Sequence, residues 1–370
     1  MAVRQGPVEG LVMQSVTPEI WRGRSVFVTG HTGFKGSWLA LWLARMGART
    51  TGYALSPETE LNLFTLAEVN KGLVAHHEAD VRHLPTLQAA LLAAQPEVVF
   101  HLAAQPLVRC GYREPVETWS TNVIGTVNLL EAVRACPSIK AVVVVTTDKC
   151  YENHEWLWGY RESDPLGGHD PYSASKAGTE LVVQSYRRSF LAEKGVLIAS
   201  ARAGNVIGGG DYSEDRLIPD AARAAQAGQP LLIRSPQATR PWQHVLEPLN
   251  GYLLLAERLL AGDMACAEAF NFGPEPEGNV SVREILARIE NYWPELAWQV
   301  DTLAEKNAPH EAGFLYLDSA KARRVLGWQP RWRLDQGLEK TAAWYRAAVE
   351  DASRLPELTL SQFEQFVGAI

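Results

Sequence analysis

The first half of the chain alternates short apolar, β-branched runs with longer segments of helical periodicity. Continuous apolar strands that alternate with helices are typical of a parallel sheet covered by helices on both faces. We therefore predict a doubly wound α/β domain in this half. The predicted strands cover residues 25–30, 49–55, 72–80, 97–104, 141–147 and 196–203, and the predicted helices lie near 35–46, 83–94, 117–135 and 172–193.

The regular alternation weakens after Gly204. Glycine- and proline-rich segments follow, such as "NVIGGGD" (205–211) and "IRSPQATRPW" (233–242), and helical patterns return near 245–261, 281–292 and 335–348. This change predicts a smaller, mixed α/β C-terminal lobe. We assign residues 21–204 to the α/β domain, with later segments returning to it, residues 205–350 mainly to the lobe, and residues 1–20 and 351–370 to terminal extensions.

Composition narrows the classes of function. The 370 residues are 46% hydrophobic and 21% charged, with a net charge of -7. This acidic balance does not favour a nucleic-acid or anionic-membrane partner. The four cysteines are widely spaced, which fits a reducing cytoplasm, and no spacing typical of metal ligands occurs. Residues 1–24 lack an apolar signal region, and no run approaches the ~20 apolar residues of a membrane span, so we expect a cytoplasmic protein.

A glycine-rich turn follows the first predicted strand. In "VFVTGHTGFKG" (26–36), Gly30, Gly33 and Gly36 stand between that strand and a helix. One glycine permits a tight turn, another lets the backbone approach a pyrophosphate, and a third lets helix and strand pack closely. A helix N-terminus offers N–H groups and a positive dipole end. The turn, which also contains Phe34 and Lys35, therefore predicts a dinucleotide cofactor on a Rossmann-like domain.

The second and third predicted strands leave the type of dinucleotide open. An acid that binds the ribose often ends the second strand, but "TTGYALSPE" (50–58) has none before Glu58. No arginine follows this strand to hold a 2′-phosphate, so the segment does not separate NAD from NADP. Asp80 ends the third strand and is either an adenine contact or a solvated strand end.

A tyrosine and a lysine lie four residues apart in "DPYSASKAGTEL" (170–181). On a helix, Tyr172 and Lys176 share one face. Tyrosine, with a pKa near 10, is a poor base at neutral pH, but nearby positive charge favours the phenolate. Asp170 and Pro171 predict a helix start at this point. The pair therefore indicates proton removal from a hydroxyl while hydride leaves the carbon.

An acid and a lysine end the most apolar strand. Four valines run directly into Thr146, Thr147, Asp148 and Lys149. The carboxyl edge of a parallel sheet is where ligands bind in such folds. The pair is therefore a candidate for catalysis, with a solvated ion pair at a strand end as the alternative.

Taken together, these motifs resemble the extended short-chain dehydrogenase/reductases, in the branch that acts on nucleotide sugars. The resemblance runs from about Trp21 to about Trp344. Within the branch it is greatest to the group that dehydrates CDP-glucose, through "TDKCYEN", "WGYRE", "DRLIPD" and "PHEA" (309–312). The markers of the family are "TGHTGFKG" (29–36), "HLAAQP" (101–106), "TNVIGT" (121–126), "VTTDK" (145–149), Tyr172 with Lys176, "RAGNVIGGGD" (202–211) and "RPWQHV" (240–245).

The resemblance implies an NAD-dependent reaction in three steps. Tyr172 removes the C4 hydroxyl proton as hydride passes to NAD, water is eliminated across C5 and C6, and hydride returns to C6. The product of CDP-glucose would be CDP-4-dehydro-6-deoxy-glucose, for deoxysugar synthesis in surface polysaccharide. Asp148 would be the acid for the C6 hydroxyl, Thr147 would hydrogen-bond the C4 oxygen, and Lys176 would orient the nicotinamide ribose and lower the Tyr172 pKa.

Lys149 would occupy the position of the base that removes the C5 proton. In the dTDP- and GDP-sugar dehydratases this position usually holds Glu, whereas lysine agrees with the CDP-sugar group. A lysine is a base only when neutral, and its reference pKa is about 10.4. Burial or positive neighbours would lower that pKa; otherwise Lys149 would stabilise the enolate as a cation.

The resemblance also implies the binding residues and a homodimer or larger homo-oligomer that pairs through helices near 117–135 and 172–193. His310 and Glu311 are weaker candidates for the pocket. Alternatives are a dTDP- or GDP-sugar 4,6-dehydratase, a nucleotide-sugar 4-epimerase, in which Ser or Thr typically replaces Asp148, and a non-catalytic NAD sensor. The cofactor would contact Gly30, Gly33, Phe34, Lys35, Gly36, Asp80, Val81, Leu102, Ala103, Ala104, Gln105, Thr121, Tyr172 and Lys176. The substrate would contact Gln105, Asn205, Arg216, Leu217, Arg240 and His244.

Overall fold

A computed structural model describes residues 13–301 and 313–368. The strands are β1 (Ser25–Thr29), β2 (Arg49–Ala54), β3 (Ala75–Glu78), β4 (Val98–His101), β5 (Ala141–Val145), β6 (Leu197–Ala203), β7 (Val206–Ile207), β8 (Leu231–Ile233), β9 (Thr239–Pro241), β10 (Gln243–His244), β11 (Ala269–Phe272), β12 (Asn279–Ser281) and β13 (Trp298–Val300). The α-helices are α1 (Pro18–Trp21), α2 (Phe34–Arg45), α3 (Leu63–Leu66), α4 (Leu84–Ala94), α5 (Val108–Arg113), α6 (Pro115–Trp119), α7 (Gly125–Ala135), α8 (Pro171–Tyr186), α9 (Leu217–Gln226), α10 (Leu246–Leu260), α11 (Val282–Ile289), α12 (Ala320–Leu326), α13 (Leu334–Glu350) and α14 (Leu355–Val367).

The central sheet has seven strands in the order β3-β2-β1-β4-β5-β6-β11. Every neighbouring pair is parallel. All seven carboxyl ends therefore lie at one edge. Strands β2 and β3 are added on one side of β1 and the later strands on the other, so the strand order reverses between β1 and β4, where doubly wound sheets bind ligands. This topology confirms the predicted fold class.

Both faces of the sheet are buried, as its continuous apolar strands predict. In β5, Val143 and Val145 join the core on one face, and Val142 and Val144 join the core on the other. Successive side chains of a strand point to opposite faces, so a strand covered on both sides has no polar face. Helices α2 and α10 cover the first face, and α4, α7 and α8 cover the second.

The C-terminal part of the chain contributes to both regions of the molecule. Strands β7 with β10, β8 with β13, and β9 with β12 form three small two-stranded sheets beside the carboxyl edge. Helix α10 returns to contact β5 and β6, and β11 adds the last strand of the central sheet. The division at residue 204/205 is therefore a division of ligand-facing surfaces rather than of hydrophobic cores.

Several helices had no counterpart in the sequence-based expectations: α3, α5, α9, α12 and α14. The predicted helix over 117–135 is three joined segments, because a π-helical turn at Ser120–Ile124 separates α6 from α7. The predicted helix over 172–193 also ends in a π turn, at Arg187–Leu191. Within the described ranges, every helix falls short of the length and apolarity of a membrane span.

Candidate active site

One cleft at the carboxyl edge, with a volume of about 730 Å³, collects almost all of the predicted site residues. Its walls come from the turn after β1, the ends of β3, β4, β5 and β6, the first turns of α8, and the loops around α9 and β8. Two predicted residues, Gln105 and His244, are absent from these walls. His310 and Glu311 lie outside the described residues. The following predicted residues line the cleft: Gly30, Gly33, Phe34, Lys35, Gly36, Asp80, Val81, Leu102, Ala103, Ala104, Thr121, Thr147, Asp148, Lys149, Tyr172, Lys176, Asn205, Arg216, Leu217 and Arg240.

The glycine-rich turn is shaped for close approach of a ligand backbone. Gly30 has φ +75°, and a Cβ there would lie 2.5 Å from the backbone nitrogen of Ala103. A Cβ on Gly36 would collide with the carbonyl oxygen of Gly30, so helix and strand touch at this position. Gly33 is exposed at the N-cap of α2, and a Cβ there would meet only Gly30, at 3.4 Å. The free space above Gly33 fits a pyrophosphate at a helix N-terminus.

Asp148 lies immediately after β5 in a buried 3-10 turn, Asp148–Cys150. Its side chain is 1% exposed. The Thr147 Oγ1 donates a hydrogen bond to Asp148 Oδ1 at 2.9 Å, and Oδ2 has no hydrogen-bond partner among the described residues. Burial raises the pKa of Asp148, although Lys149, Thr147 and Arg240 act in the opposite direction. The geometry is that of a carboxyl group able to keep and donate a proton, and it excludes a solvated ion pair.

Tyr172 lies in the first turn of α8. Asp170 caps this helix by accepting a hydrogen bond from the Ser173 backbone N–H at 3.0 Å. Burial raises the pKa of Tyr172 to about 12, and a hydrogen bond with Thr147 opposes the shift. Burial therefore outweighs the nearby positive charge in the protein without cofactor, and the lowering of this pKa by a bound nicotinamide stays a prediction. Thr147 acts on both neighbours, since it opposes the rise in the Tyr172 pKa and donates a hydrogen bond to Asp148.

Lys176 is buried one helical turn after Tyr172, as the four-residue spacing predicts. Its Nζ donates to the carbonyl oxygen of Val145, at 3.5 Å. Burial lowers the pKa of Lys176 to about 8, and the negative charge of Glu180 opposes this shift. Lys149 is half-buried, and its backbone N–H donates to Thr147 Oγ1 at 3.4 Å. The two lysines thus flank the acid and the tyrosine.

Lys35 projects from the glycine-rich turn into the same charged environment. Burial lowers its pKa to about 7; Arg216 and Lys176 lower it further, while Asp148 and Asp211 raise it. These interactions place Lys35 between the cofactor turn and the groups on the substrate side. Its side chain is therefore part of the site, in addition to any contact that its backbone makes.

A family model described as GDP-mannose 4,6 dehydratase matches residues 27–341. The chain belongs to this family. A CDP-glucose 4,6-dehydratase from Salmonella typhimurium is 48% identical over 346 residues, covering 92% of this chain and 95% of that protein. A dTDP-glucose 4,6-dehydratase from Neisseria meningitidis serogroup B is 30% identical, covering 87% and 93% respectively.

Solved structures share the fold of this member of the GDP-mannose 4,6 dehydratase family. The epimerase Mth375 from Methanothermobacter thermautotrophicus superposes with a TM-score of 0.76 at 24% identity, covering 91% of this chain and 96% of that one. MoeE5, in complex with UDP-glucose and NAD, gives a TM-score of 0.72 at 24% identity, covering 88% and 99%. At these identities the likeness supports the architecture.

On the opposite wall of the cleft, this family member carries several arginines. Arg216 donates to Asp211 Oδ2 at 2.9 Å. Arg240 is buried, and its Nη1 donates to the Thr239 carbonyl at 2.8 Å. The planar fork of donors in arginine suits the oxygens of a diphosphate. Asn205 and Leu217 line the same wall.

Two further arginines on this wall were not predicted. Arg109 of α5 and Arg234 after β8 both contact Asp215 Oδ1, each at 3.2 Å. Asp215 has φ +56°, a conformation that costs energy for a residue other than glycine. These two ion pairs with Asp215 join the sheet side of the cleft to the lobe. Arg109 follows "HLAAQP" closely, and that proximity was the signal available in the sequence.

Gln105 is absent from the cleft walls, although its neighbours Ala104 and Pro106 line them. Its Nε2 donates to Thr118 Oγ1 at 2.7 Å, and its Oε1 accepts from the Leu107 backbone N–H at 2.5 Å. Its own backbone N–H donates to Asn122 Oδ1 at 2.9 Å. These bonds show that Gln105 shapes the turn after β4, and its contact with either ligand stays a prediction.

His244 is also absent from the cleft walls, and its contact with substrate stays a prediction. Its ring lies between those of Trp38 and Trp332, with centroid distances of 6.1 and 4.9 Å. Burial lowers the pKa of His244 to about 3, so the ring is neutral. It packs in the apolar core beside α2, away from the cleft walls.

Asp80 lines the cleft and also forms an ion pair with Arg82. Its Oδ2 accepts from Arg82 Nη2 at 2.6 Å, and its Oδ1 accepts from the Arg82 backbone N–H at 2.8 Å. Burial would raise the pKa of Asp80, but the hydrogen bonds from Arg82 lower it overall. Asp80 is therefore a fixed anion at the cleft, and its contact with adenine stays a prediction.

Proposed function

We propose that this protein is a hydro-lyase that converts CDP-glucose to CDP-4-dehydro-6-deoxy-glucose and water, with NAD in the cleft. The observation that carries the proposal is the meeting of Tyr172, Thr147 and the buried Asp148 in one cleft at the carboxyl edge of the sheet. The site thus offers a base for a hydroxyl proton and a buried carboxylic acid that is hydrogen-bonded to Thr147. The 48% identical Salmonella enzyme supports the same reaction.

The residues present fit a dinucleotide. Gly30, Gly33 and Gly36 leave room for a pyrophosphate at the N-terminus of α2, and Asp80 and Lys176 lie along the walls that would face adenosine and nicotinamide ribose. NAD supplies a hydride acceptor and donor beside the sugar. Its positive ring would favour the Tyr172 phenolate, which burial alone disfavours.

In the first step, Tyr172 takes the proton of the C4 hydroxyl as C4 is oxidised to a ketone. With substrate bound, Thr147 would turn its hydroxyl proton from Asp148 to the C4 oxygen, and Lys176, as an ammonium ion, favours the phenolate form of Tyr172. The ketone makes the neighbouring C5 proton acidic.

In the second step, the bond between C6 and its oxygen breaks. Asp148 donates its proton to that oxygen, which leaves as water, and the electrons come from the C5–H bond. Lys149 occupies the position that removes the C5 proton or, as a cation, stabilises the enolate. Hydride then returns to C6 and a proton to C5, giving the 4-keto-6-deoxy sugar.

Two residues separate this function from the alternatives. A 4-epimerase eliminates no water, and the buried acid Asp148 would then have no role. Lys149 favours a CDP-sugar over dTDP- and GDP-sugars, because relatives of those groups usually carry Glu at that position. The overall likeness to epimerase structures reflects the shared fold.

We propose that the protein forms a homodimer through α6, α7 and α8. Val116, Trp119, Ile124 and Leu181 are exposed apolar side chains on these elements. Val116 is 81% exposed and Trp119, three residues later on α6, is 42% exposed, so the helix presents an apolar surface. A second copy of the chain would bury this surface. We also expect the protein in the cytoplasm.

The test is a nucleotide scan. The purified protein is incubated with NAD and, separately, CDP-, dTDP-, GDP- and UDP-glucose, and the 4-keto product is measured by its absorbance in alkali and by mass. We expect product with the highest kcat/KM from CDP-glucose. A folded protein that forms no product from any of the four would contradict the reaction, and a preference for another nucleotide would contradict the substrate.

A further inference from the structure

Glu180 is a buried acid on the catalytic face of α8 that the mechanism does not use. Tyr172, Lys176 and Glu180 follow one another at four-residue intervals, so they share one side of the helix. The side chain of Glu180 is 4% exposed, as is that of its partner Arg202 of β6. Carboxylates are rarely buried to this degree unless they are paired.

Glu180 connects three elements through its two oxygens. Oε1 accepts from Thr146 Oγ1 at 2.5 Å, at the end of β5. Oε2 accepts from Ser200 Oγ at 2.7 Å and from Arg202 Nη2 at 2.8 Å, both on β6. Thr146 directly precedes Thr147, so the carboxylate holds the strand end from which the catalytic turn emerges.

The buried ion pair of Glu180 and Arg202 is not the most stable way to fill this space. Replacing buried ion pairs by apolar residues of similar size is often neutral or stabilising, so the pair calls for another reason. Arg202 also donates to the Tyr151 hydroxyl at 2.7 Å. Glu180 shares its helix face with Lys176, and the two side chains bond to the adjacent residues Thr146 and Val145, so the negative member of the pair belongs to the surroundings of the lysine.

The environment of Lys176 shows why a negative charge is useful there. Among the described residues, its Nζ has one hydrogen bond, to Val145, and burial disfavours its ammonium form. The groups that act on it from neighbouring elements are Cys150, His101 and Lys35. His101 is neutral, since burial lowers its pKa to about 3, and Lys35 is repulsive. Glu180 supplies the main favourable charge.

We propose that Glu180 is a positioning residue of the active site, whose carboxylate keeps Lys176 cationic and, through Thr146, holds the strand end that carries Thr147 and Asp148. The proposal rests on the proposed function and deepens it, since it concerns the action of Lys176 on Tyr172 during hydride transfer. It assigns to Glu180 an effect on hydride transfer rather than a contact with substrate.

The primary test measures Lys176 itself and is independent of turnover. Wild type and Glu180→Gln are labelled with trace acetic anhydride across a pH range, and acetylation of Lys176 is quantified by peptide mass spectrometry. We expect the pH midpoint to fall by about one unit in the variant, a tenfold change in the ratio of amine to ammonium. Ser200→Ala, which removes one hydrogen bond to Glu180 but no charge, should keep the wild-type midpoint.

The second readout is the rate of NADH formation in a single turnover with CDP-glucose. In Glu180→Gln, the alkaline limb of the pH profile of this rate should move to lower pH by about one unit, as for the acetylation midpoint. Glu180→Asp should restore part of this shift. If the variant does not fold with Arg202 unpaired, Glu180→Gln/Arg202→Met removes both charges and should show the same shift.

A folded variant with the wild-type midpoint and the wild-type pH limb overturns the proposal and leaves a purely structural role. A shifted midpoint in a protein whose wild type forms no NADH would instead overturn the proposed function alone. The two failures are therefore distinguishable.

Discussion

The two oxygens of the Asp148 carboxyl group have different environments. One is bonded to Thr147, and the other is buried without a partner, which favours the neutral acid. Asp148→Asn keeps the shape but has no acidic proton. We expect the elimination to slow by about 10²- to 10⁴-fold, the usual contribution of a general acid. Hydride transfer to NAD should slow less, and both steps can be followed in a single turnover by NADH and by product mass.

Asp335→Asn, the same change at an exposed position of α13, is the matched control and should behave as wild type. Because burial raises the pKa of Asp148, the acid form persists above the ordinary carboxyl range and is lost as pH rises through the raised value. Elimination should therefore fall with rising pH above that range. A pH limb at the ordinary carboxyl pKa, or an unchanged rate of solvent deuterium entry at C5 in Asp148→Asn, would contradict this role.

At this scale, sequence alone located the side chains that follow a strand end or share a helix face. Asp148 and Tyr172 were found in this way, because strand ends and four-residue spacings map directly onto positions in space. The surroundings of Gln105 and His244 were not predictable, since hydrogen bonding inside a turn and packing between two rings leave no periodic signal. Glu180 shares the spacing of Tyr172 and Lys176, but its role depends on partners from β5 and β6 that only the fold brings together.

Among the elements, the turn between β1 and α2 needs its glycines for two different reasons, close packing at Gly36 and space for a ligand at Gly33. Gly36→Ala would place a Cβ against the Gly30 carbonyl, so we expect a lower melting temperature together with weaker NAD binding. Gly33→Ala meets only an ordinary contact at 3.4 Å and should keep the wild-type melting temperature. Its methyl group would nevertheless occupy the space for pyrophosphate, and NAD affinity should fall at least tenfold, as measured by calorimetry. Equal melting and equal affinity in both variants would contradict this division.

The inner strands β1, β4, β5 and β6 were predictable because they are buried on both faces and are mostly apolar, whereas β11 was not predicted. The sequence-based bounds of β1, β5 and β6 differ from the structure by at most two residues at either end. The helices that escaped prediction are mostly short or lie in the lobe, where packing against neighbours decides the conformation. The π turn inside the predicted helix over 117–135 has no counterpart in a 3.6-residue pattern.

For the whole molecule, the C-terminal helix α14 is part of the core rather than an extension. Phe366 is fully buried, with ring centroids 5.7 Å from Trp42 of α2 and 5.1 Å from Trp332. Phe366→Ala should lower the free energy of unfolding by about 3–5 kcal/mol, as for other large buried aromatic side chains. Val367→Ala, next to it and 38% exposed, should change it by less than about 0.5 kcal/mol. Urea denaturation measures both, and equal effects would show that α14 does not pack in this way.

The position of α10 has a consequence for how the chain is made. This helix is buried along nearly its whole length against β5 and β6, and β11 completes the sheet only at Phe272. During synthesis, a chain released up to residue 204 has six strands, and α2 covers part of their first face while α10 is still missing. About seventy more residues must follow before β11 completes the sheet, and the apolar surface exposed during this interval favours aggregation.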